Sequence, residues 1–188
     1  MQGGDDPGRT RSRLLVSVPA LEDHNFDQTV IYMIEHTDDG AIGVVLNRPS
    51  GVAVPAELDV NAAWASPHEL FAGGPVSPEA LIVLGRLRIG AEARGVAVIG
   101  GAVAVLAADA VTEGGVEGVD VARVFAGYAG WAPGQLEGEL ASGVWEVMDA
   151  LPDDVFCAEP SRLWRSVLAR QGGRLASMAR YPDDPSAN

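Results

Sequence analysis

Lysine is absent from this 188-residue chain, whose 13 basic residues are all arginine. Its absence removes a Schiff-base lysine, a lysine general base and the lysine of a Walker-type phosphate loop. Cysteine occurs once, at Cys157, which excludes an internal disulfide, a CxxC redox pair and a multi-cysteine zinc site. Flanked by Phe156 and Ala158, it reads as a packed core thiol with nothing local to activate it. The three histidines, His24, His36 and His68, are scattered, and His68-Glu69 has Ala72 where an HExxH motif needs its second histidine. No GxSxG elbow or GxGxxG loop is present, so neither a metal nor a cofactor is expected. Long apolar runs are missing too. Val96 to Ala108 is broken by Gly100-Gly101 and falls short of the ~20 residues a membrane helix needs. Arg9, Arg11 and Arg13 are followed by only Leu14 to Val18 before Pro19, which does not read as an export signal. The expectation is a cytoplasmic protein without a membrane span.

Acidic residues dominate the charge: 26 Asp and Glu leave a net charge of −13. With 47% hydrophobic and 21% charged residues, the composition is that of one globular domain able to bury a core without disulfides or metals. Eight arginines and 24 acids lie in residues 1–160, whereas 161–182 hold Arg162, Arg165, Arg170, Arg174 and Arg180 and no acid. A field of this sign repels phosphate backbones, so direct DNA binding is disfavoured. If it occurred, it would be strongly salt-dependent and centred on Arg162 to Arg180. The plain reading of that segment is a helical tail whose arginines are solvated or paired with the acidic body, although it could also meet an acidic partner.

Residues 1–12 read as a disordered lead, 13–180 as one domain and 181–188 as a flexible tail. Leu14 to Val18 and Thr29 to His36 have strand character, and Thr37-Asp38-Asp39-Gly40 is turn chemistry leading into a return strand, Ala41 to Leu46. Pro55 to Trp64 is expected to form an amphipathic helix with Leu58, Ala62 and Ala63 inward. Phe71 to Val76 reads as a short strand breaking at Gly73-Gly74. Ala80 to Leu87 and Arg94 to Leu106 follow as strands, the latter folded at Gly100-Gly101. Thr112 to Gly118 is a loop and Val121 to Ala129 a strand. Pro133 to Ser142 is a helix ended by Gly143, and Val144 to Met148 is a last strand. Arg162 to Ala179 is helical, broken at Gly172-Gly173, with Leu163, Trp164, Val167 and Leu168 inward. Strands mixed irregularly with few helices give an α+β domain, and glycines within the strands make its sheet strongly curved.

Several phrases occur in a telling order: Leu21-Glu22-Asp23-His24-Asn25-Phe26; Glu35-His36 with Gly40 to Pro49; Gly73-Gly74-Pro75-Val76; and Gly127-Tyr128-Ala129-Gly130-Trp131 with Gly134-Gln135-Leu136-Glu137. Together they closely resemble the YqgE/AlgH family of bacterial proteins, over about residues 13–170. The resemblance implies a single α+β domain with a flattened, mixed-strand pseudo-barrel flanked by helices. It also implies an association with regulation of exopolysaccharide production, with no established reaction or cofactor. This chain departs from the family's usual pattern at His24, Gln28 and Ile34, where a proline or small residue, a basic residue and a cysteine are frequent.

The ligand- or partner-binding candidates are therefore Asp23, Asn25, Phe26, His36, Asn47, Arg48, Gly73, Gly74, Tyr128, Trp131, Gln135 and Glu137. A hairpin turning at Asp38-Asp39 sets His36 near Ala41 and Asn47-Arg48 at the opposite end, beside Asp23, Asn25 and Phe26. There an Arg48 to Asp23 ion pair competes with an anion site. At Pro133-Gly134 a helix start with Trp131 as a wall could receive an anion, or Trp131 could pack in the core with Glu137 balancing the dipole. The paired acids Asp38-Asp39 and Asp153-Asp154 read as turn or loop acids, and Glu137 and Glu139 do not share a helix face. The preferred function is a non-enzymatic regulatory or interaction protein binding a small ligand or protein through loop clefts. The alternative is a hydrolase-like or transferase-like enzyme, which needs His36, Asn47, Arg48 and Glu137 to converge on one pocket.

Overall fold

Alternation along two short strands sets up a sheet with two apolar faces. In β1 (Arg13–Ser17), Leu14 and Val16 enter one core while Leu15 enters another; in β2 (Val30–Thr37), Val30 and Tyr32 side with the first and Ile31 and Met33 with the second. A computed structural model, describing residues 10–18, 28–91, 95–113 and 116–180, shows how the rest of the chain covers these faces. The other strands are β3 (Gly40–Val45), β4 (Pro49–Ala53), β5 (Ala63–Trp64), β6 (Glu69–Ala72), β7 (Val76–Leu87), β8 (Val96–Gly100), β9 (Val103–Leu106), β10 (Val119–Trp131) and β11 (Trp145–Asp149). The helices are α1 (Ala108–Thr112), α2 (Gln135–Ala141), α3 (Pro152–Val155), α4 (Pro160–Ala169) and α5 (Gly173–Met178).

The strand order is β11-β1-β2-β3-β10-β7-β9-β8, antiparallel throughout, with β5 and β6 added parallel to β10 and β4 paired with β6. This is one α+β domain whose curled sheet forms a half-barrel accompanied by a few helices. The thirteen-residue β10 makes the curl. Val119 to Tyr128 lie against β7, and Ala129 to Trp131 against β3. Just before this changeover stands Gly127, which has φ +68 and sits in a register shift of the β7 pairing. There Gly73, Gly74 and Gly127 bring backbones together: a Cβ on Gly73 would collide with the Gly127 carbonyl, and one on Gly74 with the Tyr128 backbone. These two candidates are explained by close approach of backbones.

Helix α2 covers one face through Leu136 and Leu140, and α4 covers the other through Leu163, Trp164, Val167 and Leu168. A third cluster, including Val60, Val83, Leu106, Val111 and Val119, closes the far end. Among the described residues no helix is long and apolar enough to cross a membrane.

The expected helix over Pro55 to Trp64 does not form. The Asp59 carboxylate accepts the Asn61 N–H at 2.8 Å, Asn61 turns at φ 49, and Ala63-Trp64 pair with Val121-Ala122 as β5. Local side-chain capture of the backbone and a waiting strand edge outweigh helical propensity here. The return strand ends at Val45, β4 is a separate strand that begins at Pro49 and pairs with β6, and α1 and α3 occupy stretches without a sequence-predicted helix. Pro152 opens α3, and Asp154, read as a loop acid, is instead buried. It accepts the Leu151 N–H at 2.7 Å and both Arg170 guanidinium NH groups, each at 2.7 Å. Other tail arginines also engage: Arg174 pairs with Glu146, Arg162 with Glu159, and Arg165 donates to the Ala179 carbonyl.

Arg123 is the largest of the fully buried side chains. Its guanidinium donates to three carbonyls, Ser66 at 2.6 Å, Cys157 at 2.9 Å and Val155 at 3.0 Å, and lies 4.2 Å from the centre of the Phe71 ring. Burial lowers its pKa from 12.5 to about 10, with the neighbouring Cys157 acting in the opposite sense.

Candidate functional site

The β2–β3 turn, the end of β10 and the start of α2 meet at one end of the half-barrel, and a bulge decides what each face of the sheet receives there. Up to Met33 opposite Gly43 the pairing is regular. Beyond it Glu35 lies opposite Ile42 and His36 opposite Ala41, so β2 carries one residue more than its partner. The surplus residue shifts the alternation. His36 shares the α2-covered face with Ala41, and Glu35 turns with Ile42 to the opposite face.

On the α2 face His36 is buried between two partners. Its Nε2 lies 3.0 Å from Glu137 Oε1 and its Nδ1 lies 2.7 Å from Thr10 Oγ1. An ionised carboxylate only accepts, so the Nε2–H is directed at Glu137, which fixes the ring and leaves Nδ1 facing the Thr10 hydroxyl. Glu137 is held below the usual carboxylate pKa, first by its own backbone N–H at the helix start and then by His36. Hydroxyl, imidazole and carboxylate in a row also describe an activated nucleophile. Thr10, however, is only 1% exposed, which keeps a substrate from its hydroxyl, and the row fastens the residues preceding β1 to the sheet and α2. Sequence reasoning placed Thr10 in the disordered lead, whereas Thr10 to Ser12 form a turn in which the Ser12 N–H donates to the Met33 carbonyl at 2.9 Å.

One helical step along, Glu139 receives the indole N–H of Trp131 at 2.9 Å and that of Trp145 at 2.7 Å, both on Oε2, while Gln135 Nε2 donates to Oε1 at 3.0 Å. Burial opposes ionisation of Glu139, but the three donors together outweigh it and hold its pKa below the ordinary value. The two indoles meet edge to face, their centroids 6.5 Å apart. Trp131 is thus a buried clamp residue, and Gln135 serves it while accepting the Ala132 N–H. The sequence reading weighs Glu139 only as a neighbour of Glu137 on another helix face, although its spacing from Trp131 and Trp145 is local.

A groove of about 440 Å³ opens beside the turn, lined largely from the opposite face by Glu35, Ile42, Val76, Tyr128 and Gly130, with Asp39 from the turn and Ala41 and Trp131 also reaching it. Its floor is open because Gly130 has no side chain: a Cβ there would come within 3.2 Å of the Tyr128 ring and 3.6 Å of Val76. Tyr128 is half-buried and forms one wall. Glu35 and Asp39 are exposed, and among the described residues neither carboxylate has an ion-pair partner.

Asn47 and Arg48 lie at the far end of the hairpin. Asn47 Oδ1 accepts the Val30 N–H at 3.0 Å and Nδ2 donates to the Gln28 carbonyl at 2.6 Å, while Arg48 donates to Thr29 Oγ1 at 3.2 Å. They staple the start of β2 to the end of β3. His36 and Glu137 meet, therefore, but Asn47 and Arg48 do not join them, and the four-residue cleft of the enzymatic alternative is not assembled. Asp23, Asn25 and Phe26 lie outside the described residues. Among the described residues no group of three or more His, Cys, Asp or Glu is placed to hold a metal ion.

A family model described as AlgH-like, DUF179, matches residues 14–176. A Streptomyces avermitilis UPF0301 protein is 42% identical over 196 residues, covering 100% of both chains, and one from Thermobifida fusca is 41% identical over 93% of each. The crystal structure of a Corynebacterium diphtheriae protein is similar at a TM-score of 0.81 and 30% identity, covering 96% of this chain and 95% of that one. The solution structure of AlgH from Pseudomonas aeruginosa is similar at 0.66 and 27%, covering 97% and 98%. A match across nearly the whole half-barrel, from β1 into α5, places this chain in the AlgH-like family.

Proposed function

We propose that this protein is a non-enzymatic interaction module that recognises a ligand or protein partner through the groove beside the β2–β3 turn. The observation that carries this reading is the division of labour between the two faces. On the α2 face the polar atoms of His36, Glu137, Glu139 and both indole N–H groups are spent on one another. The opposite face presents a half-buried tyrosine, apolar walls and uncompensated carboxylates around an open floor. Polar and aromatic groups held on a rigid sheet around a concavity are the usual composition of a recognition site. A regulatory role for the protein would be exercised through that contact.

The test is a thermal-shift screen of the full chain against nucleotides, sugar phosphates, amines and short peptides, repeated with Gly130→Val, which fills the floor. A saturable rise in midpoint that Gly130→Val abolishes is the expected result, since stabilisation follows RT ln(1 + [L]/Kd). Hits insensitive to Gly130→Val but lost on substitution of Arg48 or Arg162 would overturn the reading, as would substrate turnover abolished by Glu137→Gln in a folded protein.

A further inference from the structure

The groove's chemistry is specific enough to name the class of its occupant. Its walls combine three things that a single side chain would satisfy together. Ile42 and Val76 offer apolar surface for a methylene stem. The Tyr128 ring, half-buried, offers an aromatic wall. Glu35 and Asp39 offer carboxylates that nothing among the described residues neutralises. An aliphatic stem ending in a planar cation fits this set. Arginine fits better than lysine, because a guanidinium lies flat against an aromatic ring while donating in the plane to a carboxylate. The molecule uses the same pairing internally, where the Arg123 guanidinium sits 4.2 Å from the Phe71 ring centre. The chain's net charge of −13 adds a long-range field that draws a basic partner toward this surface.

We infer that the groove is a docking site for an exposed arginine on an extended segment of a partner protein. This rests on the groove being the recognition site at all. Neutral apolar peptides and acidic ligands would leave Glu35 and Asp39 desolvated without compensation, so the site selects against them.

The test is an NMR titration of the full-length 15N-labelled protein at millimolar peptide, with an acetylated, amidated Leu-Arg-Leu-containing pentapeptide and the same peptide carrying citrulline, which keeps the planar shape but removes the charge and turns one terminal NH2 donor into a carbonyl. The arginine peptide is expected to shift the amides of Glu35, Ile42 and Gly130. The citrulline peptide should bind about tenfold more weakly, as should the arginine peptide to Glu35→Gln/Asp39→Asn, and high salt should weaken the arginine complex. Gly130→Val, checked for an unchanged dispersed spectrum, should remove the shifts. Equal binding of the two peptides at the groove would overturn the assignment to a cation while leaving the groove reading intact. No groove shift with the arginine peptide overturns the inference, and a shift map centred elsewhere for every peptide and screened compound overturns the groove reading as well.

Discussion

Replacing Arg123 with methionine tests whether its buried cation ties Ser66 and residues 155–157 to β10 or is merely tolerated. The drop in its pKa from 12.5 to about 10 corresponds to roughly 3 kcal/mol of burial cost at about 1.4 kcal/mol per pH unit, a cost carried at neutral pH because the group stays charged. Against it stand three hydrogen bonds from a charged donor, worth about 1.5–3 kcal/mol each, and a ring contact worth up to about 2 kcal/mol. Methionine relieves the burial cost but leaves the Ser66, Val155 and Cys157 carbonyls without this donor, at about 1–3 kcal/mol apiece. The balance is a loss of about 3–5 kcal/mol, or roughly 6–20 °C in Tm for a domain of this size. Urea denaturation with a common m-value, alongside calorimetry, measures it. Arg123→Lys should recover only part of the loss, since an ammonium cannot span three acceptors and lie flat on Phe71. A methionine variant within about 1 kcal/mol of the parent would refute the reasoning and mean that water or a neighbouring donor replaces the guanidinium.

The remaining expectations follow from other contacts. Glu139→Ala strips the acceptor from two indole N–H groups and should cost about 2–4 kcal/mol in urea denaturation, with a changed near-UV tryptophan spectrum. Glu137 has its pKa lowered in the fold, so it contributes stability above its unfolded value near 4.5 and loses it as pH falls through the lower folded value. The Tm difference between the parent and Glu137→Gln should accordingly be constant near neutrality and shrink below about pH 4.5. Gly73→Ala drives a methyl into the Gly127 carbonyl and should cost more than about 3 kcal/mol, read as a fall in midpoint or in soluble yield. Asn47→Ala removes the bonds to Val30 and Gln28 and should cost about 1–2 kcal/mol without altering the spectrum of the groove.

The parts of the molecule legible in its sequence are those whose signals are local. Asp38-Asp39-Gly40 marked the hairpin, β-branched residues marked its strands, and Leu136 with Leu140 or Leu163 with Val167 marked helices packed on one face. Pro55 to Trp64 misled because its amphipathic spacing is genuine, but the deciding interaction is pairing with Val121-Ala122 far along the chain. The His36–Glu137 contact spans 101 residues and has no local trace. Thr10 was hidden by glycine, proline and charge in the residues before it, a composition that carries no information about one buried hydroxyl. The Glu139 clamp is different. Tryptophans six and eight residues from a glutamate around a helix start are a local signal that the sequence itself carries.

The surplus residue between Met33 and Glu35 works as a phase shift in a two-beat pattern. Upstream of it odd-numbered positions belong to the helix-covered side; downstream the even-numbered ones do. One hairpin therefore delivers an imidazole to one compartment and a carboxylate to the other, and it does so by counting rather than by composition. A chain lacking Ile34 would restore regular pairing and still set Glu35 opposite Ile42 and His36 opposite Ala41. The full-length strand ironed flat would exchange them, pressing Glu35 toward Glu137 and presenting histidine at the groove. The arrangement thus depends on the bend persisting, and whatever straightens this strand reverses the electrostatic character of both sides at once.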